Sequence, residues 1–174
     1  MARPHEAYYR ANEADWAGRF EFVLTNWAAF RACRLGFFDR IRVLFMAYAP
    51  KIVGAFTIET SVRVFLGGDR GDVVHTTCVK KFGVPLMKGI EWVSLDADGH
   101  HARFRCEHRE GPTFWHIRRF EGNAEVSSDA LSAKYTFAPW YGTTLHQTGE
   151  IVGEETVLTQ HTEWFRGVQR LRRR

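Results

Sequence analysis

The feature that most constrains the fold is a change of hydrophobic period near Gly54. Residues 28–54 form a basic, strongly apolar stretch in which large apolar residues recur every three or four positions, a spacing typical of amphipathic helices. From Ile58 onward, apolar and polar residues alternate in short runs separated by glycine-containing turns, which predicts strands. The sequence therefore predicts a mainly β protein with helices near its beginning.

The strand pattern is clearest in residues 102–109. Ala102, Phe104, Cys106 and His108 share one face, and charged residues occupy the positions between them. Short turns join successive runs, so antiparallel neighbours are expected. About nine or ten strands tend to curl or close, because open edges invite aggregation. We therefore predict a single antiparallel up-and-down β-barrel or strongly curved sheet, with a short helical pair after the first strand.

The chain is expected to form one domain, since 174 residues fit a single core and no linker or repeat interrupts them. Residues 1–15 are predicted to be an N-terminal arm or helix. Residues 16–166 are predicted to be the barrel with the helical insert 28–54, and 167–174 a basic tail. Pro50 should stop or kink the second helix, and Gly54 should provide its exit. Glu121–Asn123 is expected to be a turn.

The positive charge is concentrated in two segments. The formal net charge is +4, yet residues 28–54 carry +4 and residues 166–174 carry +5, which leaves −5 for the rest. This distribution argues against an extended strip that tracks phosphates, and hence against nucleic acid as a partner.

The beginning of the chain lacks the apolar core of a signal peptide, and the longest apolar run is Val43–Ala49. We therefore expect a cytoplasmic protein. The three cysteines show no C-x-x-C spacing, so reduced thiols are expected and not a disulfide or zinc site. Haem held by one histidine, or zinc held from separate strands, would lack any spacing signature here. We therefore expect no metal and no cofactor.

The order of a strand, a helical pair and then a run of antiparallel strands over Trp16–Arg166 resembles the calycin group of barrels. Within the group it is most similar to lipocalins and fatty-acid-binding proteins, by topology and strand rhythm. The resemblance implies a barrel that holds one small ligand inside. Fatty-acid-binding proteins carry an Arg-x-Tyr pair on the last strand, where this chain has Glu163-Trp164-Phe165-Arg166.

Polar and aromatic residues within the strands are candidates for orienting a ligand in such a cavity. Arg118 is a candidate partner for a ligand carboxylate. His146 or His161 is a candidate acid or base with Glu163 as its orienter, because residues i and i+2 share one face of a strand. The alternative interpretation is that these are structural or surface histidines. The ligand-binding candidates are Phe104, His108, Trp115, Arg118, Tyr135, His146 and His161.

The basic helical segment allows three interpretations. It is a lid over the barrel mouth, or an element that contacts an anionic membrane together with the Arg-rich tail, or an ordinary amphipathic helix packed on the sheet.

We predict that the barrel binds a hydrophobic or amphipathic small molecule, such as a lipid-like or aromatic metabolite. The alternative is a cofactor-independent isomerase, cyclase or hydratase that acts on an apolar metabolite in the same cavity. A domain with a solid core and no cavity is a third hypothesis, and the sequence leaves open whether any reaction is catalysed.

Overall fold

The computed structural model describes residues 3–67, 71–111 and 116–174. These residues form ten strands and three helices. None of the described helices has the length and apolar character needed to span a membrane. The helices are α1 (Pro4–Ala11), α2 (Trp27–Ala32) and α3 (Phe37–Val53). The strands are β1 (Ala14–Leu24), β2 (Phe56–Val64), β3 (Val73–Lys81), β4 (Val84–Leu95), β5 (His101–Glu110), β6 (His116–Val126), β7 (Ser132–Trp140), β8 (Thr143–Val152), β9 (Glu155–His161) and β10 (Phe165–Arg173).

The strands form a closed barrel in which consecutive strands pair antiparallel. β10 also pairs with β1, from Trp16 opposite Arg173 to Leu24 opposite Phe165, and this pairing closes the ring. The predicted antiparallel up-and-down barrel is therefore confirmed. The two helices α2 and α3 lie between β1 and β2, as predicted for the helical pair.

One predicted turn is wrong, because β6 continues without a break through Glu121–Asn123. Gly122 pairs with Phe137 on β7, and a Cβ at Gly122 would lie 2.4 Å from the Phe137 ring. The glycine therefore provides room for a core aromatic ring, and its presence does not mark a turn.

The basic tail predicted for residues 167–174 belongs to the barrel. Gly167 and Leu171 on β10 are buried, whereas Arg166, Arg170 and Arg172 are exposed on the outer face. The alternation places the arginines in water while the intervening residues face the interior.

Helix α3 continues past Pro50 to Val53, so of the two expected effects of the proline, a stop or a kink, the stop does not occur. Pro50 lies in the last turn, where its missing N–H removes a single intrahelical hydrogen bond. The expected exit at Gly54 is confirmed, with φ +81° and an N–H that donates to the Pro50 carbonyl. The Lys81 ammonium donates to the carbonyls of Val53, Gly54 and Ala55. The carbonyl groups at the end of the helix therefore have a cationic hydrogen-bond donor.

The helices cover opposite ends of the barrel. At one end, His5 on α1 makes a 2.8 Å side-chain hydrogen bond to the carbonyl of Asp96, just past the end of β4. At the other, Arg42 on α3 approaches Glu110 at the end of β5. Since β4 and β5 are antiparallel neighbours, the end of β4 and the end of β5 lie at opposite ends of the barrel. We call the first end the floor and the second end the mouth.

Candidate functional site

A cavity of about 520 Å³ lies inside the barrel between α1 and α3. Its lining is mainly apolar and aromatic, and includes Phe22, Phe56, Ile58, Phe137, Leu145 and Leu158. Small-molecule sites have this size and character, with a few convergent polar groups. The barrel interior is therefore hollow and not a solid core.

Three titratable residues form a polar cluster in the cavity wall. Glu91 lies between two histidines: its Oε2 is 3.4 Å from His75 Nδ1 and its Oε1 is 3.7 Å from His108 Nε2. The side chains of His75, Glu91 and His108 are only 18%, 19% and 12% exposed, and all three line the cavity. We call these residues the His–Glu–His cluster.

Glu91 is held in its ionised form. Burial acts to raise the pKa of Glu91, but its interactions with the nearby His108 and His75 more than offset burial. The pKa falls from its usual 4.5 to about 2. A buried carboxylate of this kind needs cationic or donating partners, and the two histidines are placed to supply them.

The position of the His–Glu–His cluster follows from the register of three strands. His75 on β3 pairs with Glu91 on β4, and His108 on β5 pairs with Gly89. A Cβ at Gly89 would lie 2.8 Å from Cδ2 of His108, so a glycine is needed for the imidazole to lie across β4. The edge of the His108 ring meets Phe120 at a centroid distance of 4.7 Å. These contacts fix the imidazole over the cavity.

Three buried tyrosines lie on the floor side of the cluster. The Tyr135 hydroxyl donates to the Tyr8 hydroxyl at 3.0 Å, and the Tyr9 ring meets His75 at a centroid distance of 6.0 Å. Gly149 makes room for this arrangement, since a Cβ there would lie 2.6 Å from the Tyr8 hydroxyl oxygen. Burial raises the pKa of Tyr8 to about 12 and raises the pKa of Tyr9 and of Tyr135 well above 10. All three phenols are therefore protonated hydrogen-bond donors at neutral pH.

Several polar atoms of this region are buried without a hydrogen-bond partner among the described residues. They include the Tyr9 hydroxyl, Nε2 of His75 and Nε2 of His108. Tyr135 lowers the pKa of Tyr9 as a hydrogen-bond partner would, although the Tyr9 hydroxyl makes no hydrogen bond of normal geometry among the described residues. Buried polar groups are rarely left unsatisfied, so three such atoms beside one cavity indicate a place where a polar group binds.

A second polar cluster joins α3 to the barrel at the mouth. Arg118 on β6 binds Asp39 at 2.8 Å and Glu110 at 3.5 Å, and its guanidinium lies 3.9 Å from the centre of the Tyr141 ring. The Tyr141 hydroxyl donates to Glu110 at 2.9 Å. Arg42 completes the cluster, with Asp39 at 3.1 Å and Glu110 at 3.6 Å. We call these five residues the α3 clamp.

The candidates from the sequence have different positions. His108 and Tyr135 line the cavity. Phe104 is buried against Tyr135 and Phe137 but does not line the cavity. Arg118 belongs to the α3 clamp, where protein carboxylates already bind its guanidinium. Trp115 lies outside the described residues.

His146, His161 and Glu163 are exposed on the outside of the barrel, so they do not line the cavity. In β8 the inward positions belong to Leu145 and Gln147, which places His146 on the outer face. His146 and His161 are register partners and stack with a centroid distance of 5.4 Å. These two histidines were predicted to face the cavity, but the strand register places both side chains outside the barrel.

His75, Glu91 and Tyr9 were not among the site residues predicted from the sequence. His75 shares one strand face with Val73 and Val79, both buried, and this pattern was a usable signal. Glu91 carried no such signal, because only pairing across strands places it between two histidines. Tyr9 belongs to a helix whose docking on the barrel floor cannot be inferred from its own sequence.

Among residues 3–67, 71–111 and 116–174, no group of three or more His, Cys, Asp or Glu side chains is arranged to hold a metal ion. The thiol of Cys106 is buried, and burial raises its pKa, so it remains protonated. No protein-family model matches this chain and no curated protein is significantly similar to it. The chain is a closed ten-stranded antiparallel barrel in its described residues, compatible with a calycin-like fold.

Proposed function

We propose that this protein binds an amphipathic small molecule, with its apolar body in the barrel cavity and its polar group at the His–Glu–His cluster. The observation that carries the proposal is the mainly apolar cavity of about 520 Å³, in which unpartnered polar atoms are confined to a few positions. Apolar burial supplies affinity, at roughly 25 cal/mol per Å² before the costs of association. The resemblance to calycin barrels agrees with a ligand held inside.

The polar group of the ligand is a hydrogen-bond acceptor such as a carbonyl. The Tyr9 hydroxyl is a donor without a hydrogen-bond partner in the part of the chain that the structure describes. The ionised Glu91 carboxylate already supplies the acceptor of the cluster. A carbonyl oxygen at Tyr9 satisfies the buried donor without adding a second buried charge.

Two neighbouring threonines of β3 provide a matched test of where the ligand binds. Thr77 lines the cavity, whereas Thr76 is exposed on the outer face. We expect Thr77→Trp to fill part of the cavity and to weaken binding of an apolar fluorescent dye at least about tenfold, while Thr76→Trp leaves it unchanged. Native mass spectrometry of the purified protein should also detect a bound apolar compound. Equal dye binding by both variants would contradict a ligand inside the barrel.

The mouth carries an exposed apolar surface that we call the mouth patch. The exposed fractions of Phe37, Ile52 and Phe82 are 72%, 82% and 79%. Isolated exposed apolar residues are normal, but so many on one helix and an adjacent turn are unusual for a monomer. The mouth patch consists of Phe37, Phe38, Ile41, Phe45, Tyr48 and Ile52 on α3, and of Phe82 and Val84 at the β3–β4 turn.

We propose that the mouth patch contacts an anionic membrane, from which an apolar ligand enters. Lys51 lies beside the patch, with its ammonium 4.9 Å from the centre of the Tyr48 ring, and Arg31 and Arg34 nearby in sequence are exposed. This combination of apolar and basic residues suits the surface of an anionic bilayer. In the other basic segment, Arg173 binds the Ala11 carbonyl at the floor, whereas Arg166 lies at the opposite end of β10, beside Val23.

Flotation with lipid vesicles tests the membrane contact. The protein should float with phosphatidylcholine–phosphatidylserine vesicles more than with phosphatidylcholine alone, and Phe37→Ser with Phe38→Ser should abolish the difference. The control is Arg170→Ser, an exposed change on the outer wall. If the double variant floats like the unmodified protein, the patch is not the membrane contact.

A further inference from the structure

The His–Glu–His cluster contains the parts of a general base. His75 presents Nδ1 to the Glu91 carboxylate at 3.4 Å, and its Nε2 is buried without a partner among the described residues. A carboxylate that holds Nδ1–H of a histidine leaves the lone pair on Nε2, and the same arrangement orients catalytic histidines in hydrolases. His75 lines the cavity, so this buried nitrogen belongs to the cavity wall.

A hydrogen-bond donor lies on the same side of the cavity. The Tyr9 and His75 rings meet edge to face at 6.0 Å, and the Tyr9 hydroxyl has no normal hydrogen bond among the described residues. The α1 helix holds Tyr9 fully buried, so the hydroxyl is directed by packing and not by a protein acceptor. A donor of this kind stabilises negative charge that develops on an oxygen in a site shielded from water.

We propose that His75 and Tyr9 catalyse proton transfer at the carbon next to the carbonyl group of a bound apolar ketone. This inference rests on the proposed ligand binding in the barrel and names its substrate class. A base and an oxyanion donor suffice for enolisation, and the apolar lining selects a substrate with a hydrocarbon body.

The step balances without any further reactant. His75 Nε2 removes a proton from the α-carbon, and the electron pair of that C–H bond forms a C=C bond as the carbonyl becomes an enolate. The Tyr9 hydroxyl donates a hydrogen bond to the enolate oxygen. If the ketone carries a β,γ double bond, protonated His75 returns the proton to the γ-carbon and gives the conjugated isomer. Glu91 touches no substrate in this scheme and is a positioning residue for His75.

The test uses 4-hexylcyclohex-3-en-1-one, an apolar β,γ-unsaturated ketone. Its displacement of a cavity-bound dye measures binding. Its conversion to the conjugated enone is followed by ultraviolet absorbance, and in D₂O by deuterium incorporation. We expect the protein to bind the ketone and to isomerise it faster than buffer alone. His75→Gln should slow the reaction by about 10²–10⁴-fold, the usual contribution of a positioned base.

Tyr9→Phe is the cleanest variant, because it removes a hydroxyl that has no normal hydrogen bond and should therefore leave folding intact. We expect it to slow isomerisation about 100-fold. Glu91→Gln should lower kcat and leave KM nearly unchanged, because His75 loses the carboxylate that orients it while the apolar lining that holds the ketone is intact. His101→Gln, an exposed histidine outside the cavity, is the matched control and should react like the unmodified protein.

The outcomes separate the two proposals. If the ketone displaces the dye but isomerises no faster than in buffer, the catalytic inference is wrong and ligand binding stands. If Tyr9→Phe folds and reacts at the unmodified rate, the role of Tyr9 is wrong. If neither the ketone nor the dye binds, the proposed ligand site is overturned together with the chemistry.

Discussion

The floor and the mouth of the barrel are built from different interactions. At the floor, Tyr8 and Tyr9 of α1 are 2% and 0% exposed and pack directly against the cavity wall. At the mouth, α3 exposes most of its large apolar side chains and is joined to the barrel through the ion pairs of the α3 clamp. Tight packing suits a fixed recognition surface, whereas a helix that leaves most of its large apolar side chains in solvent has fewer packing contacts to hold it in place. If the barrel binds a ligand as proposed, we expect recognition at the floor and access at the mouth.

The largest expected effect comes from removing floor packing. Tyr8→Ala should lower the free energy of unfolding by about 3–5 kcal/mol, as for other large buried aromatic residues. Urea denaturation followed by tryptophan fluorescence measures this loss. Tyr8→Phe removes only the hydroxyl that bonds to Tyr135 and should cost about 1 kcal/mol. A loss below about 1 kcal/mol for Tyr8→Ala would contradict a rigid floor.

The next effect concerns Glu91 and depends on pH. Because the folded pKa of about 2 lies below the usual 4.5, ionised Glu91 stabilises the fold above pH 4.5, and this contribution is lost as the pH falls toward 2. The stability difference between the unmodified protein and Glu91→Gln should therefore shrink by roughly 2–3 kcal/mol over that interval. Urea titrations at several pH values measure it. Glu121→Gln, an exposed change on the outer face, should show no comparable slope.

Weakening the α3 clamp should have a smaller effect on the free energy of unfolding, and it should raise the rates at which a ligand enters and leaves the cavity. Asp39→Asn weakens the contacts to Arg118 and Arg42 and should cost about 1–2 kcal/mol. Stopped-flow measurements should show faster entry and faster release of an apolar dye, with little change in its affinity. Glu154→Gln, in the exposed β8–β9 turn, is the control. Unchanged dye kinetics in Asp39→Asn would show that α3 does not limit access.

The smallest effect is expected at the mouth patch. Phe38 is 67% exposed, so Phe38→Ala should change the free energy of unfolding by no more than about 0.5 kcal/mol. Thermal unfolding by circular dichroism measures this change. A loss close to that of Tyr8→Ala would remove the distinction between the two ends.

The barrel was predictable from the sequence because alternation and short turns are local properties. The inward direction of His108 followed from Ala102, Phe104 and Cys106 on the same face. The outward direction of His146 did not, because both faces of β8 contain polar residues and no apolar pattern distinguishes them. Periodicity groups residues by face, but the register between strands decides which face is inside.

The His–Glu–His cluster could not be predicted from local sequence patterns, for a related reason. Its members come from three strands, and no spacing in the sequence links His75, Glu91 and His108. Residues 167–174 were predicted to be a basic tail because they are rich in arginine. In the structure Gly167 and Leu171 are buried and alternate with outward arginines in a strand. Both errors concern contacts between residues that are distant in sequence.

The pairing of β10 with β1 has a consequence for how the protein folds. Until β10 pairs with β9 and β1, those two strands each present a row of unpaired backbone amides. The ring closes only when β10 joins β1, and these two strands are the farthest apart in the sequence. Such long-range closure is slow, and unpaired strand edges that can pair with another chain stay exposed until it is complete. The outward arginines of β10 place charged side chains along the closing seam, and charges on a strand edge disfavour pairing with a second chain.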